Sequence, residues 1–228
     1  MNNLKDALVD YCKVHIDPIN EWYFWRAIDE KKLPSGINLP QGNQYTKNLA
    51  LKWQLHEKWS ANSNNEDRLN LAKYYIATWG GIHSNGFEKL IEYSMMPADQ
   101  LIAKGRNGIA SWSKALVLHN PSKYAIYDAR VAISLNCLQK LYGVKNKMCF
   151  PLLSSRNRKV AKGNLKFKKI LQTECWSKSS DNAFYNQYLE ILNEVKGQLD
   201  TDISTIEMLL FAKAEQLVEL VFDFDHKN

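Results

Sequence analysis

Apolar residues recur at every third or fourth position along most of this chain. Such stripes occur in segments 4–15, 45–59, 67–79, 87–95, 183–195 and 203–224. The last is the clearest, with Ile206, Leu209, Leu210, Leu217, Leu220, Val221 and Phe224 on one side. This spacing is typical of amphipathic helices that pack on a core. Alternating apolar and polar positions are scarce, so we predict an all-α protein.

Proline and glycine mark where these helices end. Pro18 interrupts the first helix, and the aromatic-rich segment 21–26 is predicted to begin another. Segment 32–45, with two prolines and two glycines, is predicted to be a loop, and segment 80–86 a turn. Segment 97–104 is predicted to be a short helix. Segment 143–169 has no clear period, so we predict irregular structure there, with a short helical piece at 166–171.

The chain from Ile102 to Cys137 contains the residues with the clearest chemical meaning. A four-residue turn, Gly105-Arg106-Asn107-Gly108, separates a helix end from a second predicted helix. Glycine at each end of the turn permits positive φ and leaves backbone N–H groups exposed. A turn of this kind before a helix N-terminus can bind a phosphate group.

Asp128 is predicted to cap the next helix. It follows a loop broken by Pro121 and precedes a segment, 129–135, whose pattern is helical. Aspartate is among the preferred N-cap residues, and the positive end of a helix favours a negative charge. The simplest interpretation of Asp128 is therefore a structural cap.

Lys114, followed by Ile126-Tyr127-Asp128-Ala129-Arg130-Val131, resembles the helix–hairpin–helix superfamily of base-excision DNA glycosylases, most closely its 8-oxoguanine-glycosylase-like branch. In that superfamily a turn grips DNA phosphate, a lysine follows it on the second helix, and an aspartate caps a later helix. The resemblance covers roughly the middle third of the chain. It implies one domain, 1–228, formed by two helical lobes around a cleft, with 97–142 carrying the hairpin and the catalytic residues.

The chain departs from the superfamily pattern in two respects. Ser111-Trp112-Ser113 stands where the family hairpin has two glycines just before the lysine. Asp128 follows Lys114 by 14 residues, which is several fewer than is usual in the family.

Cleavage of an N-glycosidic bond would give Asp128 a catalytic role. Positive charge develops on the sugar as the base leaves, and a fixed carboxylate near C1′ stabilises that charge. The same carboxylate can deprotonate the attacking nucleophile. The resemblance favours this role over a purely structural cap.

Two interpretations of Lys114 stay open. As a neutral amine it could attack C1′ and form a Schiff base, which would allow strand cleavage, and its apolar sequence neighbours suit a neutral amine. Alternatively it is an ordinary lysine extending from a half-buried helix, and water is the nucleophile.

Basic residues are concentrated after Asp128. Between Ala129 and Thr173 there are eleven Lys and Arg residues and no Asp or Glu, although the whole chain has a net charge of only +6. This segment is predicted to bind a polyanion, with double-stranded DNA as the first candidate, and the alternative is a flexible basic loop without a partner. The residues predicted to contact DNA are Gly105, Arg106, Asn107, Gly108, Arg130, Arg156, Arg158 and Lys159.

An enzyme that acts on a base in a duplex must flip that base into a pocket, where aromatic side chains stack on it. Trp112, Trp79 and Trp25 are the weak candidates for this stacking. The sequence does not give the shape of the pocket. The resemblance therefore supplies the first candidate substrate, oxidised guanine. A bulky modified base of invading phage DNA is an open alternative.

Composition narrows the remaining possibilities. No apolar run approaches the length of a membrane span, and the N-terminal segment lacks the apolar core of a signal peptide, so we expect a soluble, cytoplasmic monomer. The four cysteines are widely spaced, which argues against zinc and an iron–sulfur cluster, and we expect four buried thiols and no cofactor. A two-metal nuclease would need a clustered set of acidic residues, which the sequence lacks. The competing interpretation is a non-catalytic DNA-binding protein that uses the hairpin and the basic segment for phosphate alone.

Overall fold

A computed structural model describes residues 3–25, 27–61 and 64–223. The helices are α1 (Leu4–His15), α2 (Ile19–Trp22), α3 (Gln44–Ala61), α4 (Asn65–Lys73), α5 (Phe87–Met95), α6 (Ala98–Ala103), α7 (Ile109–His119), α8 (Ala129–Leu141), α9 (Arg158–Thr173), α10 (Phe184–Lys196) and α11 (Ile203–Asp223). A 3-10 turn covers Glu30–Lys32, and a π-helix, Tyr74–Trp79, follows α4. The short strands β1 (Met148–Cys149) and β2 (Ser177–Lys178) pair in parallel. The prediction of an all-α protein is confirmed.

Polar caps fix the beginnings of several helices. The Asn3 side chain accepts a hydrogen bond from the Asp6 amide at the start of α1, and Asn157 accepts one from Val160 at the start of α9. A side-chain acceptor at the N-cap satisfies an amide that has no partner inside the helix. These helix starts are therefore determined locally.

The chain forms two compact units, and the first is discontinuous. It consists of Met1–Asp17 and Tyr127–Asn228. Within it α8 and α11 form the main helix pair, and α1, α9 and α10 pack around them. The buried side chains of this pair include Leu135, Leu138, Leu210 and Leu217.

The second unit, Pro18–Ile126, is built around α7. Every residue of α7 from Ile109 to Leu118, apart from Ala110, is buried. A helix that is buried on nearly all sides carries apolar residues around its whole circumference. Helices α3, α4, α5 and α6 and the π-helix contact it. The segment 97–142, predicted to carry the hairpin and the catalytic residues together, is thus divided at Tyr127 between the two units.

Three predicted elements differ from the structure. The helix predicted over 21–26 ends at Trp22, and residues 23–25 are not helical, whereas Arg26 lies outside the described residues. The helix predicted over 67–79 changes to π-helical geometry at Tyr74. The segment predicted to be irregular contains α9, whose buried positions include Gly163 and Asn164. Because neither residue is apolar, the helical period of this segment is hard to see in the sequence.

The thiols differ in their burial. Cys12 and Cys137 are buried, Cys149 is half-buried and Cys175 is exposed, so the expectation of four buried thiols is wrong for the last two. Burial raises the pKa of the Cys12 thiol to about 12 and also raises that of Cys137. These two thiols are therefore protonated at neutral pH and behave as small apolar residues.

Candidate active site and nucleic-acid interface

The turn between α6 and α7 is held by an indole ring. Trp112 is fully buried, and its Nε1 donates hydrogen bonds to the carbonyl oxygens of Gly105, at 3.2 Å, and Asn107, at 3.1 Å. Gly105 and Gly108 adopt positive φ values of 57° and 72°, as their sequence pattern predicts. The indole thus fixes the backbone of the turn from inside, while its own surface is inaccessible to a stacking base.

The tip of this turn faces solvent. Arg106, Asn107 and Gly108 are exposed, and Gly105 is buried. Gly108 is also the N-cap of α7 and lies against the Tyr93 hydroxyl, so closely that a Cβ at this position would collide with it. An exposed turn directly before a helix N-terminus has the arrangement that binds phosphate in other proteins.

Lys114 is buried in the middle of α7. The residue is only 4% exposed, and its Nζ donates to the carbonyl oxygen of Ala110, at 2.7 Å. Gly80 lies against it, since a Cβ on Gly80 would come within 2.7 Å of the lysine Cε. The lysine is therefore not the exposed, extended side chain that the simpler interpretation assumed.

Asp128 caps α8 as the sequence predicts. Its Oδ1 accepts hydrogen bonds from the backbone amides of Arg130, at 2.9 Å, and Val131, at 3.0 Å. The residue is half-buried, and no donor among the described residues reaches Oδ2. One oxygen thus fixes the carboxylate to the start of the helix.

An aromatic cluster includes Tyr127, the residue directly before Asp128. Tyr127 is fully buried, donates through its hydroxyl to the Pro151 carbonyl oxygen at 3.0 Å, and packs edge-on against Phe184 and Tyr188. Burial, followed by the charge of Glu207 and smaller contributions that include Asp128, raises the pKa of Tyr188 well above its ordinary value. Tyr188 therefore stays a neutral phenol at neutral pH.

Glu215 of α11 joins the beginnings of α8 and α9. Its Oε1 accepts hydrogen bonds from the Arg130 guanidinium, at 2.6 Å, and from Nδ2 of Asn157, the N-cap of α9, at 2.9 Å. Burial alone would raise the pKa of Glu215, but Arg130, Asn157 and Lys159 together lower it below its ordinary value. Glu215 was not identified from the sequence, because it lies 85 residues from Arg130 and has no local pattern.

This carboxylate changes the interpretation of two residues predicted to contact DNA. The Arg130 side chain is only 12% exposed and also lies over the Phe211 ring. Lys159 forms an ion pair with Glu219, at 2.5 Å. Both cations therefore already form ion pairs within the protein. Arg156 and Arg158 are exposed.

Trp79 and Trp25 are connected through one buried amide. Asn48, which is 1% exposed, accepts from the Trp79 indole at 2.9 Å and donates to the Trp25 carbonyl oxygen at 3.2 Å. Both tryptophans are half-buried, unlike Trp112. Asn48 was not singled out in the sequence, although its position on the buried face of α3 was a usable signal.

A cavity of about 130 Å³ lies beside Trp79, within the second unit. Its lining includes Asp29, Lys32, Tyr74 and Thr78. The last two and Trp79 belong to the π-helix, a geometry that is frequent at functional sites. Burial, with a smaller contribution from Asp29, raises the pKa of Tyr74 to about 12. Of the three tryptophans predicted to stack on a base, Trp79 is the one that lines this cavity.

Lys114 and Asp128 belong to different compact units. Lys52 on α3 is a second buried lysine, 1% exposed, that the sequence did not distinguish.

Among the described residues, no group of three or more His, Cys, Asp or Glu side chains is arranged to hold a metal ion. No described helix combines the length and the apolar character that a membrane crossing requires.

Comparison with known proteins identified no relative of this chain. No family model, no curated protein and no solved structure matches the chain.

Proposed function

We propose that this protein is a DNA N-glycosylase that removes a damaged or modified base. The proposal is carried by Asp128, whose carboxylate is fixed at the start of α8 by two backbone amides that donate to one of its oxygens. Such a group meets the requirement of the reaction, which is a preorganised negative charge close to a sugar that becomes cationic. The resemblance of residues 126–131 to the glycosylase superfamily supports the same function.

In this reaction the bond between C1′ and the base nitrogen breaks, and the base leaves with the electron pair. Asp128 stabilises the resulting oxocarbenium-like sugar and accepts a proton from the nucleophile that adds to C1′. If water adds, the product is an abasic site. If the Lys114 amine adds, a Schiff base forms, and the amine must first leave the Ala110 carbonyl and lose a proton.

The substrate base is set by the pocket. Oxidised guanine follows from the resemblance, and a bulky modified base of phage DNA is the second possibility. The exposed turn 106–108 supplies a phosphate contact in either case.

The decisive experiment incubates the protein with duplex oligonucleotides that each carry one candidate base, and measures abasic sites. We expect one base to be released by the wild type and release to fall at least roughly 100-fold in Asp128→Asn, because removing a preorganised electrostatic contact costs about that much. Asn keeps the cap, so the fold is retained. Asp202→Asn is the matched control, since Asp202 accepts a hydrogen bond from Thr205 at the start of α11.

Undiminished release by Asp128→Asn would remove the catalytic assignment. Tight binding of every duplex without release would favour the alternative function, a non-catalytic DNA-binding protein. Borohydride added to the same incubations traps a Schiff base, and Lys52→Met serves as the control for Lys114→Met, since both lysines are buried. Turnover without a trapped adduct would assign the attack to water.

A further inference from the structure

Helix α9 has one buried and one exposed face. Val160, Gly163, Asn164 and Phe167 are buried, and Gly163 lies so close to Val218 of α11 that a Cβ would overlap with it. The opposite face contains Arg158, Lys162, Leu165 and Lys169, all of them exposed. Residues at this spacing form one stripe along a helix, about 16 Å long from the first to the last.

Cations near Asp128 and on α9 differ in whether an acidic side chain pairs with them. Arg130, Lys140, Lys147 and Lys159 form ion pairs with Glu174, Glu215 or Glu219. For Arg158, Lys162, Lys168 and Lys169, the described part of the chain provides no acidic partner. A group of positive charges without an acidic partner therefore lies on the outer surface of α9.

We propose that the exposed surface of α9, formed by Arg158, Lys162, Lys168 and Lys169, binds the phosphate backbone of DNA. The proposal rests on the proposed function for its choice of DNA as the polyanion. The contact with the DNA backbone is thereby assigned to residues along α9. Arg130 and Lys159 are not part of it, because Glu215 and Glu219 compensate their charges.

The position of α9 relative to Asp128 supports this assignment. Because Glu215 binds both Arg130 at the start of α8 and Asn157 at the start of α9, the basic stripe begins next to the helix end that Asp128 caps. A strand lying along α9 would therefore lead its sugar–phosphate chain toward this carboxylate. A stripe of about 16 Å runs past several phosphates of one strand, since duplex DNA has one phosphate per ~3.4 Å of axis on each strand.

The exposed face of α9 has too little apolar surface for a membrane-binding helix. Leu165, 63% exposed, is the one apolar residue in a stripe that is otherwise cationic. Membrane-surface helices carry a broad apolar face that enters the lipid, whereas the apolar face of α9 is buried against its own protein. Phosphate binding requires only the cations, and it is independent of Leu165.

The test compares the affinity for an undamaged duplex oligonucleotide at several salt concentrations. In Arg158→Gln/Lys162→Gln/Lys169→Gln, we expect affinity to fall at least roughly tenfold at moderate salt, and the slope of log K against log salt to decrease by about 2 to 3. The matched control, Lys31→Gln/Lys73→Gln/Lys89→Gln, removes the same charge at exposed positions on other elements. It should leave the slope nearly unchanged.

Equal slopes in the two triple variants would overturn the proposal. Leu165→Gln should bind DNA as the wild type does, and binding to vesicles that contain anionic lipid, lost in Leu165→Gln, would instead assign the surface to a membrane. Base release at saturating protein separates this proposal from the proposed function: the α9 variant should recover the wild-type rate, whereas Asp128→Asn should not. If no base is ever released, the salt slopes still decide the role of α9.

Discussion

At the scale of single residues, the turn between α6 and α7 depends on buried side chains that hold its backbone from inside. The Trp112 indole holds two carbonyl oxygens of the turn, and Gly108 occupies a left-handed conformation against the Tyr93 hydroxyl. The glycines were identifiable from the sequence because the turn chemistry is local. The indole contacts were not, since a tryptophan before Lys114 is equally compatible with base stacking.

We expect Gly108→Ala to destabilise the protein by about 3 kcal/mol, because the left-handed conformation costs an L-residue about 1–2 kcal/mol and the Cβ also collides with Tyr93. Gly143→Ala is a matched control. Gly143 has a similar positive φ, 58°, but a Cβ added there would meet no atom within 4 Å. This variant should cost only about 1 kcal/mol. Chemical denaturation measures both values, and equal losses would show that the collision is relieved without cost.

At the scale of elements, helix starts were easier to predict than helix partners. Asp128, Pro97 and the glycine-bounded turn placed the ends of α6, α7 and α8 within a residue or two, because caps act within one turn of helix. Only the piece 166–171 of helix α9 was predicted, since Gly163 and Asn164 occupy the buried face of its earlier part. The unpaired positive charge of segment 129–173 was also overestimated from the sequence, because the glutamates that pair with its cations lie outside that segment.

The contact between α8, α9 and α11 makes the stability of the folded state depend on pH. The folded state lowers the pKa of Glu215, so its carboxylate stabilises the fold above the unfolded pKa. That contribution is lost as pH falls through the lowered value. Glu215→Gln should therefore cost about 1–2 kcal/mol at neutral pH, a value discounted because the side chain is 34% exposed. The two proteins should become equally stable in acid.

Thermal unfolding between neutral pH and about pH 3 measures this convergence. Glu194→Gln is the control, because Glu194 pairs with Lys5 at 3.3 Å while its side chain is 58% exposed. An exposed pair contributes little, so this variant should follow the wild type at every pH. A constant difference between Glu215→Gln and the wild type across the range would assign the effect to packing.

At the scale of the whole molecule, the sequence predicted the class but not the connectivity. The periodicity of α1 shows that it has a buried face, and it contains no information about which helices cover that face. In the structure α1 packs with α8, α10 and α11, which follow it by more than a hundred residues, and the chain between them forms its own unit. The chemically informative segment 102–137 consequently spans two units.

This connectivity predicts which amides lose protection together when α1 is weakened. Leu8 is fully buried in α1, so Leu8→Ala should cost about 2–5 kcal/mol through the lost contacts and the cavity. By hydrogen exchange, we expect α1, α8 and α10 to lose protection together, while α7 in the other unit keeps most of its protection. Val14→Ala is the control, since Val14 is 65% exposed on the same helix and should change nothing. Loss of protection in α7 equal to that in α10 would show that the two units unfold as one.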